Sequence, residues 1–360
     1  MHRSVRLALV AAASAAFPAV FVACGGSGTT TDDSSLLVDA ATVDASVQDA
    51  GTVDAAIVTV DAGPAPDARA PAHLDNDGGL VDELYFAVAG DTRPSLPNQT
   101  SGYPSDIITK IYDDIEGLGA NKPPFVVGTG DYQNSILKRG FLGGNTALEQ
   151  FDLFLAARRH YSGAWFPTMG NHECSPVSSS NCVAGSLDMN ANDAFAAYEE
   201  KVLAPLGKTK PYYTIKVSAT DGSWTSKFLF PAANAWDTAQ DTWFKAAMAE
   251  ATTYTFVIRH EPANASPAPP GVAATEATMA RFPYTMCIVG HTHTYTRRGR
   301  ELLVGNGGAP LADSKNYGYA LLKRRSSDGA IVVDMMDKDT NRADAAFHYA
   351  LKADGSEATP

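Results

Sequence analysis

Three apolar runs between residues 84 and 171 end alike. "LYFAVAGD" (84–91), "PFVVGTGD" (124–131) and "WFPTMGN" (165–171) each finish on a glycine followed by Asp or Asn. Continuous apolar runs of this length suit strands buried on both faces, and the polar residue marks release into a loop. Between them, 104–119 and 145–160 carry helical spacing, clearest in Ile107, Ile108, Ile111, Ile115 and Leu118. The order strand, helix, strand, helix, strand predicts a layered α/β sheet with ligands at the carboxyl ends of its strands.

Further helices are predicted at 189–203 and Thr238–Glu250, with extended segments at 211–217 and 227–231. "YTFVIRHEP" (254–262) and "MCIVGHTH" (286–293) are again apolar runs, now ending in histidine. The C-terminal part, with "ELLVGNGG", "YGYALLKR" and "AIVVDMMD", reads as strands that build a second sheet packed on the first. Nothing after residue 80 signals a second domain.

The N-terminus changes the picture. His2, Arg3 and Arg6 precede an apolar stretch from Leu7 to Ala23 that contains Pro18 and runs into Cys24. It is shorter than the roughly 20 residues that span a bilayer. Residues 1–23 resemble a bacterial lipoprotein signal peptide, with Cys24 as the lipidated residue of an exported, membrane-anchored protein. Gly25 and Gly26 lack the aspartate associated with inner-membrane retention, which points toward the outer membrane.

Residues 24–79 collapse into Ala, Asp, Val, Thr, Gly and Pro, with Asp39, Asp44, Asp49 and Asp54 recurring at a fixed interval. Large apolar groups are too few to offset backbone ordering at about 1 to 2 kcal/mol per residue, so this segment reads as a disordered tether to a folded part at 80–360. "DNDGG" (75–79) lacks the later ligand positions of a calcium loop and reads as linker. Much of the formal net charge of −12 lies in the tether, and no basic stripe suggests nucleic acid.

Cysteine usage fits export. Cys174 and Cys182 lie in one Ser/Asn-rich loop, where a disulfide would contribute roughly 2 to 3 kcal/mol in the chain-entropy model. Cys287 sits inside an apolar run and reads as buried. No C-x-x-C spacing supports a cysteine zinc site.

At the predicted strand ends stand Asp91, Asp131, Asn171 with His172, His260, and His291 with His293. Five tips carrying oxygen or imidazole donors form a constellation that packing alone does not require. "HEPAN" at His260 has Pro262 and no second histidine at helical spacing, so it is no zinc-protease helix. Neither G-x-S-x-G nor a P-loop occurs. "GNGGAP" (305–310) is followed by no helix pattern and reads as a turn at the end of a sheet.

The blocks "GD" (90–91), "GD" (130–131), "GNHE" (170–173), "RHEP" (259–262) and "GHTH" (290–293) resemble the calcineurin-like metallophosphoesterase family, including its purple acid phosphatase branch. The resemblance implies a two-sheet βαβ sandwich with outer helices, and two metal ions, Fe, Mn or Zn, suited to carboxylate, amide and imidazole donors. It implies that Asp131 bridges both ions, that Asn171, His260 and His291 complete the second, and that Asp91 and His293 hold the first. His172 would sit over the phosphate as proton donor or charge stabiliser. The implied reaction is phosphate-ester hydrolysis, of a monoester or diester, by a metal-activated hydroxide.

One position departs from the pattern. Where much of the family has a histidine ligand two residues after the first aspartate, this chain has Arg93. The tyrosine that ligates in the purple branch is replaced by Asn134, and Tyr132 lies elsewhere in the block. The first metal keeps three matched ligands. Either Arg93 clamps phosphate beside an under-coordinated ion, with water or Asn134 filling it, or Arg93 supplies the charge of an ion that is weakly held or absent. In the second case the chain holds one metal, or survives as a binding protein or scaffold without turnover. Tyr295 is a further candidate for the pocket.

Overall fold

The computed structural model describes residues 72–136, 146–183, 191–313 and 316–360, so the expected signal peptide, Cys24 and most of the expected tether lie outside the described residues. The chain opens with β1 (His73–Asp75) and β2 (Gly78–Val81), then β3 (Tyr85–Ala89), α1 (Ser105–Glu116), β4 (Phe125–Gly128), α2 (Thr146–Arg158), β5 (Ala164–Pro167) and α3 (Ala191–Tyr198). There follow β6 (Tyr213–Ala219), β7 (Thr225–Phe230), α4 (Thr238–Ala249), β8 (Tyr254–Ile258), α5 (Pro270–Met279) and β9 (Met286–Val289). The C-terminal strands are β10 (Tyr295–Arg298), β11 (Glu301–Val304), β12 (Gly318–Arg324), β13 (Ile331–Asp337), β14 (Arg342–Leu351) and β15 (Glu357–Ala358).

These strands form two sheets, one ordered β1-β2-β6-β7-β8-β9-β11-β10 and the other β15-β14-β13-β12-β3-β4-β5. Side-chain alternation explains their stacking. Phe86, Val88, Phe125, Val127 and Phe166 face Phe228, Phe256, Ile258 and Ile288 in the core between the sheets, while Ala87, Ala89 and Val126 face the helices outside. Phe86 sits edge-on to Phe228 at 5.0 Å and to Phe256 at 5.2 Å, a geometry that adds to the area buried.

Helices α1, α2 and α3 cover one outer face. In α1 the buried stripe is Ile108, Ile111, Tyr112 and Ile115, spaced as one helical face requires. On the other face Phe244, Met248 and Met279 of α4 and α5 pack on Leu229, Val257 and Cys287. Cys287 is a free, buried thiol, and burial foremost pushes its pKa up to about 12. Asp237 caps α4, accepting the Gln240 N–H at 2.7 Å.

Two expectations are corrected. The tether does not run to Gly79: "DNDGG" turns a hairpin whose second strand pairs in parallel with β6, because Gly78 and Gly79 accept backbone angles closed to other residues. The C-terminal strands do not form a sheet of their own either. β12 pairs antiparallel with β3 and carries β13 to β15, whereas β11 pairs in parallel with β9. Each sheet thus gains partners at an edge that would otherwise expose unpaired backbone groups.

Candidate metal centre

Every candidate ligand stands at the C-terminal end of a parallel strand. Asp91 follows β3, Asp131 follows β4, Asn171 and His172 follow β5, His260 follows β8, and His291 and His293 follow β9. The tips are tied to one another through the backbone: Asp91 N–H donates to Gly130 O at 2.9 Å, and Gly290 N–H to His260 O at 2.8 Å. Gly307 N–H and Ala309 N–H donate to the carbonyls of Gly90 and Asp91 at 2.9 and 2.7 Å, so "GNGGAP" laces the β11 tip to the β3 tip.

The motif glycines are steric requirements. A Cβ on Gly170 would fall on Asp131 Oδ1, and one on Gly290 on Asp91 Oδ2. Asp91, Asp131, His291 and His293 have φ of 55°, 59°, 76° and 48°, the left-handed region that L-residues rarely occupy outside functional sites.

Four donors converge. Asn171 Oδ1 lies 3.1 Å from both His260 Nε2 and His291 Nδ1, these two nitrogens are 3.2 Å apart, and Asp131 Oδ1 is 3.2 Å from His260 Nε2. Donors about 2.0–2.2 Å from a shared ion stand at such mutual separations. Behind them, His260 Nδ1 donates to Thr129 O at 2.7 Å, leaving Nε2 to face the centre, and His291 Nε2 lies 3.4 Å from Ser178 Oγ. Glu261 adds a buried carboxylate whose two oxygens have no hydrogen-bond partner, an arrangement that suits a neighbouring cation.

The second donor group, Asp91, Asp131 and His293, looks different. Arg93 Nη2 lies 3.2 Å from His293 Nε2, its Nε lies 3.4 Å from Asp131 Oδ2, and its Nη1 donates to Pro94 O at 3.2 Å. Because His293 Nδ1 donates to Pro310 O at 2.9 Å, Nε2 carries the lone pair and accepts from the arginine. Asp91 Oδ2 accepts the His291 N–H at 2.8 Å, and its Oδ1 lies 3.7 Å from His293 Nε2 without a hydrogen-bond partner.

Charge is distributed unevenly over these groups. Burial raises Asp91 well above the usual carboxylate range. Burial also penalises Asp131, yet His260 and Arg93 beside it outweigh burial and hold Asp131 well below that range. His260 is raised well above 6.5: burial opposes its charge, and Asp131 overrides burial. His172, buried with its backbone N–H on Asp131 Oδ1 at 3.0 Å, is lowered to about 3, chiefly by burial.

The remaining candidates fall elsewhere. Asn134 donates through Nδ2 to Pro94 O at 3.2 Å, the carbonyl that Arg93 also reaches, so its amide steadies the arginine's turn. Tyr132 packs its ring on Phe154 and Trp165, and its hydroxyl accepts the Gly130 N–H at 3.1 Å; the phenol belongs to the helix-side core. Tyr295 lines a cavity of about 670 Å³ with Asp337 and Arg342, its hydroxyl donating to Asp344 at 2.7 Å. Cys174 and Cys182 are joined as a disulfide.

Glu173, the last residue of "GNHE", has a role that its place in the motif does not announce. Its buried carboxylate accepts N–H groups from Asp131 at 2.9 Å, Tyr132 at 2.8 Å and Gly170 at 2.8 Å, fixing two ligand loops together. Thr129, Pro310 and Ser178 act through backbone or hydroxyl contacts that no spacing rule reveals, although Thr129 stands within "GTGD".

The sequence model of the calcineurin-like phosphoesterases matches residues 84–295. The chain belongs to the calcineurin-like phosphoesterase family. Among solved structures, a purple acid phosphatase from yellow lupin (Lupinus luteus) seeds superposes with a TM-score of 0.52 at 14% identity, over 75% of this chain and 53% of that one. The chain thus spans about half the length of that relative. A dimetal phosphatase from Danio rerio aligns with a TM-score of 0.46 at 12% identity, over 75% of this chain and 98% of that one. No protein of curated function matches the chain by sequence. The two-sheet architecture of this calcineurin-like phosphoesterase is the one its motifs imply.

Proposed function

We propose that the protein hydrolyses phosphate esters, monoesters or diesters, using a metal ion held by Asp131, Asn171, His260 and His291. The observation that carries this reading is the convergence of one carboxylate, one amide and two imidazole donors at separations of 3.1–3.2 Å, a donor set that suits Fe, Mn or Zn. When bound, the ion polarises the phosphoryl group and acidifies water. Asp131 orients the site by dividing its oxygens, Oδ1 toward the convergent donors and Oδ2 toward Arg93. His172 lies with Nε2 3.8 Å from Asp131 Oδ2, where its N–H can meet a leaving oxygen as charge develops there. Water adds to phosphorus as the ester oxygen departs with a proton, giving phosphate or a phosphomonoester and an alcohol.

The test is turnover of chromogenic monoester and diester substrates by the protein loaded with Mn, Zn or Fe, beside Asn171→Ala and His172→Ala. Turnover that Asn171→Ala abolishes supports the assignment. Retained metal with no turnover under any ion would replace it by a metal- or phosphate-binding protein, and absence of metal binding would leave a scaffold. We propose further that the protein acts outside the cytoplasm, anchored by lipid on Cys24 and held off the membrane by its acidic tether, with the outer membrane favoured. Metabolic labelling with a fatty acid should mark the wild-type chain and not Cys24→Ala.

A further inference from the structure

The donors around Arg93 do not fit a second ion. His293 is fixed by Pro310 O so that Nε2 presents its lone pair, and that lone pair already meets Arg93 Nη2 at 3.2 Å. Asp131 Oδ2 faces Arg93 Nε at 3.4 Å. An ion taking these two atoms would have to displace N–H groups from the lone pair and share a carboxylate oxygen with a permanent positive charge. The arginine is not a loose surface side chain that could swing aside freely: it is 15% exposed, and Nη1 is tied to Pro94 O, which Asn134 Nδ2 also holds.

We infer that the site is mononuclear, with the Arg93 guanidinium standing where the family's other metal ion would be. This rests on the hydrolase reading above and specifies it. The guanidinium balances Asp131 and satisfies His293, as an ion would. Its hydrogen bonds to His293 and Pro94 use one N–H on Nη2 and one on Nη1, while Nε lies 3.4 Å from Asp131 Oδ2 as an ion pair without a hydrogen bond, so one N–H on Nη1 and one on Nη2 are left for a phosphoryl oxygen. Unlike an ion, the guanidinium has no vacant orbital to bind a water oxygen and so does not supply a metal-activated hydroxide, and being permanently protonated it cannot serve as a base. Activation of the nucleophile then belongs to the Asn171–His260–His291 side, and Arg93 is left with substrate charge and orientation. Asp131 would thus serve the convergent donors through Oδ1 and the guanidinium through Oδ2.

The test reads metal directly. The full chain is stripped with chelator, reloaded with Mn(II), desalted, and examined for metal content and by electron paramagnetic resonance. The unmodified protein is expected to hold about one Mn(II) per chain with a magnetically uncoupled spectrum, since the convergent donors build one site. Arg93→Ala vacates the place beside Asp91, Asp131 and His293 and is expected to take up a second, exchange-coupled ion. Arg93→Lys keeps a cation there and should remain uncoupled. Two coupled ions in the unmodified protein would overturn the inference and leave the hydrolase reading standing, whereas a chain that holds no ion overturns both. A folded Arg93→Ala protein that stays at one ion would also overturn it. Should that variant not fold, the unmodified protein and Arg93→Lys still decide. Phosphate release is measured on the same samples: one ion bound without turnover sinks the hydrolase reading alone.

Discussion

The two halves of the site use similar side chains and reach opposite states. On one side Asn171, His260 and His291 aim their donor atoms at a common point with no arginine or lysine among them. On the other, Asp131 and His293 meet the Arg93 guanidinium, with Asp91 grouped beside them. The difference comes from one residue on the β3 loop, Arg93, supported from behind by Asn134 and Pro94. A carboxylate–imidazole cluster therefore does not by itself count metal ions; what its lone pairs already meet has to be weighed too.

Substitutions on either side of the site test this asymmetry. His260→Ala removes the imidazole at the heart of the convergent half and should lower kcat/KM by at least about 10³-fold together with metal retention. An equal loss from His293→Ala would erase the asymmetry between the halves. Arg93→Lys keeps the charge but loses the planar fork, and should cost about 10- to 100-fold in kcat/KM with metal content unchanged. Glu173→Gln removes acceptor capacity from three backbone N–H groups and should weaken metal binding by about tenfold, measured by competition with a chelating dye. Cys174→Ser with Cys182→Ser should lower unfolding stability by roughly 2 to 3 kcal/mol in denaturant titration, with a smaller effect on turnover through Ser178 and His291. Finally, the iron-loaded protein should show no tyrosinate charge-transfer band, because Tyr132 is packed into the helix-side core; a purple protein would mean a phenol reaches the convergent half.

Much of this was legible in the chain. Apolar runs ending in Gly-Asp, Gly-Asn or His carry both strand burial and ligand placement, so β3, β4, β5, β8 and β9 and the residues at their tips could be read together. The division of the C-terminal strands could not. β12 and β11 are both apolar and locally alike, and their sheet membership depends on which edge lies vacant, a long-range property. The β1–β2 hairpin was hidden by a composition like that of the tether. At the site, residue types were visible but angles were not. Arg93 was an evident oddity in "GDTRP", yet its contacts with His293 and Asp131 could not be read from its position. Glu173, Thr129 and Pro310 act through the peptide backbone, which no side-chain pattern reports.

The left-handed backbone at Asp91, Asp131, His291 and His293 bears on how long the protein survives as well as on what it does. Each such residue stores free energy, on the order of 1 kcal/mol or more, that surrounding contacts must hold down. A ligand that binds the folded chain alone adds to that restraint in proportion to the logarithm of its concentration. A chain that matures without its ion should therefore open these loops more often and be cut there sooner by proteases. Scarcity of the metal would then reduce the number of molecules present as well as the fraction active, and the persistence of this protein would track the trace-metal supply around it.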